Sequence, residues 1–238
     1  MALVPLNLPA GVYRNGTDLQ SQGRWRDSNL VRWFDDTLRP IGGWRTRSDT
    51  ASAGQVRGMH SWIANNSDRW ISAGSYNKLY VYSGAGIQYD ITPTGFTAGN
   101  EDALTPVGYG NSFYGLEYYG TPRQESVTIT PATTWSMDSW GQYLVACSST
   151  DGKVYEWQLS TGTIAAVVAN APVNNRAILV TEERFLMCLG AGGNPRLVQW
   201  SDREDNTVWT PAATNEAGSL ELQTTGRIQC GVRVQNQA

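Results

Sequence analysis

Short runs of apolar residues, broken by turn-forming residues, follow one another along most of the chain. In one example, the run Gln142–Cys147 is separated from the run Lys153–Trp157 by Ser-Ser-Thr-Asp-Gly. Runs of four to eight residues that are rich in aromatic and β-branched residues and bounded by Gly, Ser, Asn or Asp are typical of β-strands joined by tight turns. The pattern therefore predicts an all-β fold.

This pair of runs occurs three times, at 69–82, 142–157 and 184–200. Each copy has an aromatic residue followed by aliphatic ones, a short turn, and then a basic residue, an aliphatic residue and a final aromatic. Tyr143 and Phe185 are 42 residues apart, and Trp157 and Trp200 are 43 apart. A four-strand unit of about 40–45 residues is the period of a β-propeller blade. The recurrence thus predicts propeller-like blades.

A further strand is predicted on each side of every copy, which gives four antiparallel strands per blade in an up-and-down order. The upstream strands are expected at 56–63, 134–137 and 177–181, and the downstream strands at 87–92, 163–168 and 207–210. Residues 226–232 resemble 54–59 and predict the first strand of a fourth blade. Known propellers have about 4–8 blades, so three blades and a fraction must be completed either by further chain, which we expect, or by another copy.

Two segments lie outside the blades and divide the chain into an arm, 1–53, and a blade region, 54–238. In the arm, the runs 30–34 and 37–41 flank Asp35-Asp36 and predict a hairpin. In the blade region, an insertion at 93–124 is rich in Gly, Tyr and Pro. It is either a contact surface or a loop that buries its own aromatics. Its candidate contact residues are Tyr109, Phe113, Tyr114, Tyr118 and Tyr119.

Arginine is concentrated in and just after the arm. Arg outnumbers Lys 16 to 2, and eight of the 18 basic residues precede residue 58. Tryptophans interleave with these arginines, and both residue types are enriched at protein interfaces. The arm is therefore either an assembly contact or a solvated hairpin edge. The candidate interface residues are Arg24, Trp25, Arg26, Arg32, Trp33, Arg39 and Trp44.

Composition narrows the classes of function. Only 16% of the residues are charged and the net charge is −3, so no overall field favours nucleic acid. Three cysteines without a C-x-x-C spacing argue against a zinc site or a disulfide framework, and Cys147 and Cys188 are expected to be buried thiols in a reducing compartment. We expect no signal peptide and no membrane insertion, because no apolar run approaches the roughly 20 residues needed.

Catalytic motifs are weak. His60 is the single histidine and lies in an alternating run, so it is expected to be a strand residue. Asp202, Glu204 and Asp205 could bind a hard cation, but a solvated turn is the better interpretation. Residues 149–152 loosely match a structural turn of sialidase propellers. The sequence predicts no enzyme, no cofactor and no metal.

One set of motifs resembles a known family. The run 6–17, its continuation 23–44, and the run 200–218 with its Trp-Ser-Asp and Trp-Thr-Pro elements look like tail hub or nozzle proteins of short-tailed phages, including packaged-DNA stabilisation proteins. The chain is much shorter than full nozzle proteins. Asp35-Asp36 also replaces the Gly-containing turn expected in the hairpin.

The resemblance implies a structural protein of the virion tail, assembled in the host cytoplasm. Such proteins are expected to form a homo-oligomeric ring, commonly six-fold, that contacts the adaptor, the portal and other tail proteins. Packaged DNA passes through the lumen of the ring without sequence-specific contacts. The alternative is a receptor-binding or glycan-binding propeller of the tail, with or without glycan-degrading activity.

Overall fold

The computed structural model describes residues 9–35, 37–43, 45–104 and 130–234, which form an all-β fold without α-helices. The chain divides into two compact units, Met1–Arg47 and Ser48–Ala238. The sequence placed the boundary between arm and blades at 53/54, and the two units meet at 47/48. The described part of the chain contains one two-stranded and three four-stranded antiparallel sheets.

The first unit contains the predicted hairpin. Strand β1 (Val31–Phe34) pairs with β2 (Thr37–Pro40), Phe34 lies opposite Thr37, and the connection between the two strands begins at Asp35. Asp35 has a φ of 51°, the left-handed conformation that short hairpin loops need and that Asp tolerates better than most residues. The hairpin prediction is confirmed.

The second unit contains the three predicted blades, each a meander in which every strand pairs with its neighbours in sequence. Blade 1 consists of β3 (Met59–Ile63), β4 (Arg69–Gly74), β5 (Leu79–Ser83) and β6 (Gln88–Asp90). Blade 2 consists of β7 (Trp135–Trp140), β8 (Tyr143–Ser148), β9 (Val154–Trp157) and β10 (Ala166–Val167). Blade 3 consists of β11 (Ala177–Val180), β12 (Leu186–Leu189), β13 (Leu197–Trp200) and β14 (Gly218–Glu221).

Two predictions about blade 3 and its surroundings were wrong. The outer strand is β14 and not 207–210, because Trp209 turns inward instead: it is 3% exposed, and its Nε1 donates to the Asn206 carbonyl at 2.7 Å. Residues 226–232 form no regular strand of a fourth blade. This run lies beside blade 3, where Ile228 N donates to the Pro195 carbonyl at 2.9 Å.

The core lies between the blades. We call the side of each blade that faces the preceding blade its entry face, and the opposite side its exit face. One buried cluster joins the exit face of blade 1 to the entry face of blade 2, and it includes Trp62, Trp70, Leu144 and Trp157. A second cluster joins blades 2 and 3 in the same way through residues such as Val145 and Leu186. Blade 2 is therefore covered on both faces.

Hydrogen bonds from side chains lock the first strands of the blades together, and β7 contacts both β3 and β11. Ser136 Oγ donates to the Ile178 carbonyl at 3.0 Å, and Asp138 Oδ2 accepts from Val180 N at 2.9 Å. On the other side, Trp135 Nε1 donates to the Ser75 carbonyl at 2.7 Å. The first strand of blade 2, β7, is therefore held by its own blade and also by both neighbouring blades.

Blade 3 departs from the repeat at its third strand. Cys147 pairs with Val154 in blade 2, whereas the equivalent Leu189 pairs with Val198, one residue later than the sequence alignment predicts. As a result, Trp157 lies on the entry face of its blade, but Trp200 lies on the exit face of blade 3. Trp209 enters the core between blades 2 and 3 from the following loop.

Candidate functional site

The aromatic residues of the arm form a small cluster. The rings of Trp25 and Trp33 lie 5.8 Å apart at 58°, and Tyr13 N donates to the Trp25 carbonyl at 2.8 Å. Both indole N–H groups are shielded from solvent without a hydrogen-bond partner among the described residues. Trp44 lies outside the described residues. Two of the three predicted interface tryptophans thus pack on each other within the arm.

The arm arginines differ in what they contact. Arg26 forms an ion pair with Asp18. Arg24 lies over the ring of Tyr13, with Cζ 5.4 Å from the centroid. Arg39 lies over the ring of Phe34 at 4.8 Å. Unlike Arg26, Arg32 forms no ion pair with a described residue.

Arg32 and Arg39 lie directly opposite each other in the hairpin, and both are exposed. Like charges at opposed positions of an antiparallel pair destabilise it. Neither residue has a carboxylate partner in the described part of the chain to offset that repulsion. The hairpin therefore presents a doubly positive site that an external carboxylate or phosphate would stabilise.

The arm also exposes apolar side chains. Leu19 is 86% exposed, Leu30 71%, Phe34 54% and Ile41 49%. No apolar residue in the described part of the arm is buried. Exposed apolar patches rimmed by charges are typical of protein contact surfaces, so the arm has the features of an assembly contact.

The residues of the second predicted contact surface lie outside the described residues. They are Tyr109, Phe113, Tyr114, Tyr118 and Tyr119. Of the insertion, the structure describes 93–104, in which Phe96 stacks against Trp135 at 5.3 Å between ring centroids. At least this part of the insertion packs on the blades.

Comparison with protein families, with characterised proteins and with solved structures finds no match.

The acidic residues considered for catalysis or metal binding stabilise turns instead. Asp202 Oδ1 accepts from Arg203 N and Glu216 N, at 2.9 and 2.8 Å. Asp205 accepts from Thr207, and these hydrogen bonds lower the pKa of Asp205. The described residues contain no group of three or more potential ligands that could hold a metal ion, and no helix there could cross a membrane.

The buried thiols are poor nucleophiles. Burial raises the pKa of Cys147, and the nearby Asp151 raises it further. Burial also raises the pKa of Cys188. Since the thiolate is the reactive form, the core between blades 2 and 3 disfavours cysteine chemistry. Asp151 accepts hydrogen bonds from Lys153 N and from the hydroxyl of Tyr155, as a structural turn residue does.

His60 lies on β3, as predicted, and joins two blades. Its Nε2 is 2.7 Å from Ser139 Oγ, and its ring stacks on Trp62 with the centroids 5.9 Å apart. Burial lowers the pKa of His60; Asp138 opposes this shift and Arg233 adds to it. The site favours the neutral ring.

We expect the stability of the blades to decrease as the pH falls through the ordinary histidine range, near 6.5. The folded state binds this proton less readily than the unfolded state, so stability is fully present above that range and lost below it. Urea unfolding at pH 7.5 and 5.5 measures the effect, with His60→Gln as the control that cannot titrate. Equal pH dependence in both proteins would contradict the assignment to His60.

A small cavity of about 230 Å³ opens at one end of blades 2 and 3. Arg176 and Arg227 line it, and neither forms an ion pair with a described residue. Asn175 also lines it and is 3% exposed, and its Oδ1 has no hydrogen-bond partner in the described structure. The two arginines could bind an oxyanion, and Asn175 Oδ1 could accept a hydrogen bond from a donor group of the same molecule. Sequence reasoning missed this site because its residues come from four separate loops.

Proposed function

We propose that the chain is a structural protein of a phage tail, a component of its hub or nozzle, and that the N-terminal hairpin is its assembly contact. The observation that carries the proposal is the exposed surface of the arm. On this surface the apolar residues Leu30, Phe34 and Ile41 are exposed, and Arg32 lies opposite Arg39.

Isolated two-stranded hairpins are marginal in water, and this one buries no apolar side chain among its described residues. A neighbouring molecule with an apolar surface could bury the exposed apolar side chains of the hairpin. Carboxylates on the same molecule could pair with Arg32 and Arg39. Arginine suits that contact, because its guanidinium pairs with carboxylates through two parallel hydrogen bonds. The apolar side chains of the hairpin would be buried in the contact. The arginines would fix how the hairpin is aligned with the neighbouring molecule.

In the proposed role, copies of the chain assemble into a ring with adaptor, portal and other tail proteins, in the tail of the virion. The ring holds and conducts packaged DNA through its lumen. A net charge of −3 is compatible with a lumen that passes DNA without binding it tightly. The family resemblance of residues 6–44 and 200–218 supports this role over other structural ones.

Charge reversal in the hairpin tests the proposal. Arg32→Glu with Arg39→Glu should abolish ring assembly and leave the blades folded, because neither residue forms an ion pair with a described residue and Arg39 loses only its contact with the exposed ring of Phe34. Each buried interfacial charge pair is worth about 2–5 kcal/mol when one partner is removed, so affinity should fall by more than about 100-fold. Size-exclusion chromatography with light scattering measures assembly, and circular dichroism measures folding.

The matched control is Arg203→Glu, an exposed arginine in a turn of blade 3. It should leave assembly unchanged. Arg24 and Arg26 are less informative, because their reversal also disturbs Tyr13 and Asp18. Rings that persist in the double variant would contradict the proposal and favour the glycan-binding alternative, for which the cavity at Arg176 and Arg227 is the place to test acidic sugars.

A further inference from the structure

Two blade faces in this structure carry exposed apolar residues where the internal interfaces have buried ones. They are the entry face of blade 1 and the exit face of blade 3. We propose that a second copy of this chain covers both, with the exit face of blade 3 of each copy packed on the entry face of blade 1 of the other. The two copies would then close one six-bladed propeller. This proposal does not depend on the function proposed above.

The entry face of blade 1 is built like the entry faces that are already covered. Ile71 occupies the position of Leu144 in blade 2 and of Leu186 in blade 3. Leu144 is 1% exposed and Leu186 is 0% exposed, because a preceding blade packs on each of them, whereas Ile71 is 40% exposed. On the neighbouring strand β3 of this face, Met59 is 68% exposed and Ile63 62%.

The exit face of blade 3 is only partly covered: Leu179 and Leu189 are buried there, at 7% and 6% exposed, but other apolar residues of the face are not. Met187 occupies the position of Val145, which is fully buried under blade 3, yet Met187 is only half-buried. Trp200 is also half-buried on this face, and Leu220 is 58% exposed. The run that ends at Val234 packs along part of it, since a Cβ on Gly231 would come within 2.8 Å of Leu189 Cδ1. Val232 and Val234 in this run are 72% and 62% exposed.

A recurring contact at the turn after the first strand shows how the two faces would meet. A residue in the turn just before the second strand touches a tryptophan of the preceding blade at both internal interfaces. Trp62 Nε1 donates to the Gln142 carbonyl at 3.0 Å, and Arg184 lies over the ring of Trp140 at 5.1 Å. Trp62 is the last residue but one of β3, and Trp140 is the last residue of β7.

The equivalent residue of blade 1 is Arg69, which is exposed and forms no ion pair with a described residue. At the proposed contact it would lie against the turn between β11 and β12 of the other copy. That turn carries Glu182 and Glu183, both exposed. The two faces therefore match in charge at this point as well as in apolar surface.

The three described blades fit a closed ring of two copies. Propellers close with about 4–8 blades, and two sets of the three described blades give six, whereas three sets would give nine. Each contact is heterologous, and two such contacts related by one two-fold axis close the ring.

A charge swap tests the contact. With the arm contact removed by Arg32→Glu and Arg39→Glu, the chain should elute at twice the monomer mass in chromatography with light scattering, and the following changes are made in this background. Arg69→Glu should give monomers, and so should Glu182→Arg with Glu183→Arg. Combining all three changes should restore the two-copy species, because the pairing is reversed and not removed. Ile63→Glu should give monomers that no charge change rescues.

Val173→Glu is the control, since Val173 is 51% exposed in a loop between strands. It should keep the two-copy mass. Because all these variants carry Arg32→Glu and Arg39→Glu, the arm contact does not contribute to the measured masses. A monomeric Arg32→Glu/Arg39→Glu chain, or further charge variants that elute like it, would overturn the proposal.

Discussion

Trp157→Ala should cost about 3–5 kcal/mol of the free energy of unfolding, the range for removing a large buried aromatic side chain. The ring of Trp157 is 1% exposed, and it packs edge-on against Trp70 and Trp62, with centroids 5.3 and 6.4 Å away. Its Nε1 also donates to the carbonyls of Ser160 and Thr163, at 3.1 and 3.2 Å. Its loss would open a cavity between blades 1 and 2 and release the loop after β9.

Thermal unfolding measures this effect. A domain of this size shifts by about 2–4 °C per kcal/mol, so the midpoint should fall by about 6–20 °C. Trp200→Ala is the matched control, and both variants are made with Arg69→Glu so that the proposed contact between copies does not bury Trp200. Trp200 aligns with Trp157 in sequence but is half-buried on the exit face, so its variant should lose clearly less stability. If the two variants lost equal stability, the assignment of Trp157 to the core between blades would be wrong.

Gly152→Ala should cost about 2–5 kcal/mol, from left-handed backbone strain together with overpacking. Gly152 has a φ of 61°, and a Cβ there would overlap the backbone of Asn174 and Asn175. The Gly152 carbonyl accepts from Asn175 N at 3.0 Å and from Asn175 Nδ2 at 2.8 Å. A methyl group would therefore push the start of blade 3 away from blade 2.

Urea unfolding of Gly152→Ala against Gly162→Ala tests this expectation. No heavy atom lies within 4 Å of a Cβ built on Gly162, and its φ is not positive, so its replacement should change stability by less than about 0.5 kcal/mol. A neutral Gly152→Ala would mean that the β8–β9 turn does not contact the lead-in to blade 3 as described.

The blades could be predicted from the sequence because their strands carry local signals. The aromatic-aliphatic runs of β4, β8 and β12 lie next to turn residues, and both the period and the strand order follow from neighbouring residues alone. The hairpin loop at Asp35 was found for the same reason. Strands and turns that depend on neighbouring residues can therefore be predicted from the sequence.

The errors arose where tertiary packing overrides local pattern. Residues 207–210 look like a strand because Trp209 follows a β-branched run, but the indole instead fills space between blades 2 and 3. The one-residue shift of β13 depends on how Val198 pairs with Leu189, which no local spacing encodes. The cavity at Arg176 and the match between Arg69 and the Glu182–Glu183 turn depend on contacts between distant residues.

The distribution of thiols makes this chain a convenient subject for chemical labelling. Cys147 and Cys188 lie side by side in the buried cluster between blades 2 and 3, where burial raises the pKa of both, while Cys230 is exposed on the run beside blade 3. A maleimide dye should therefore modify the native protein at one position, with no engineered cysteine. The other two thiols should react only after blades 2 and 3 separate. The rate at which the second and third thiols are labelled therefore measures the rate at which that interface opens.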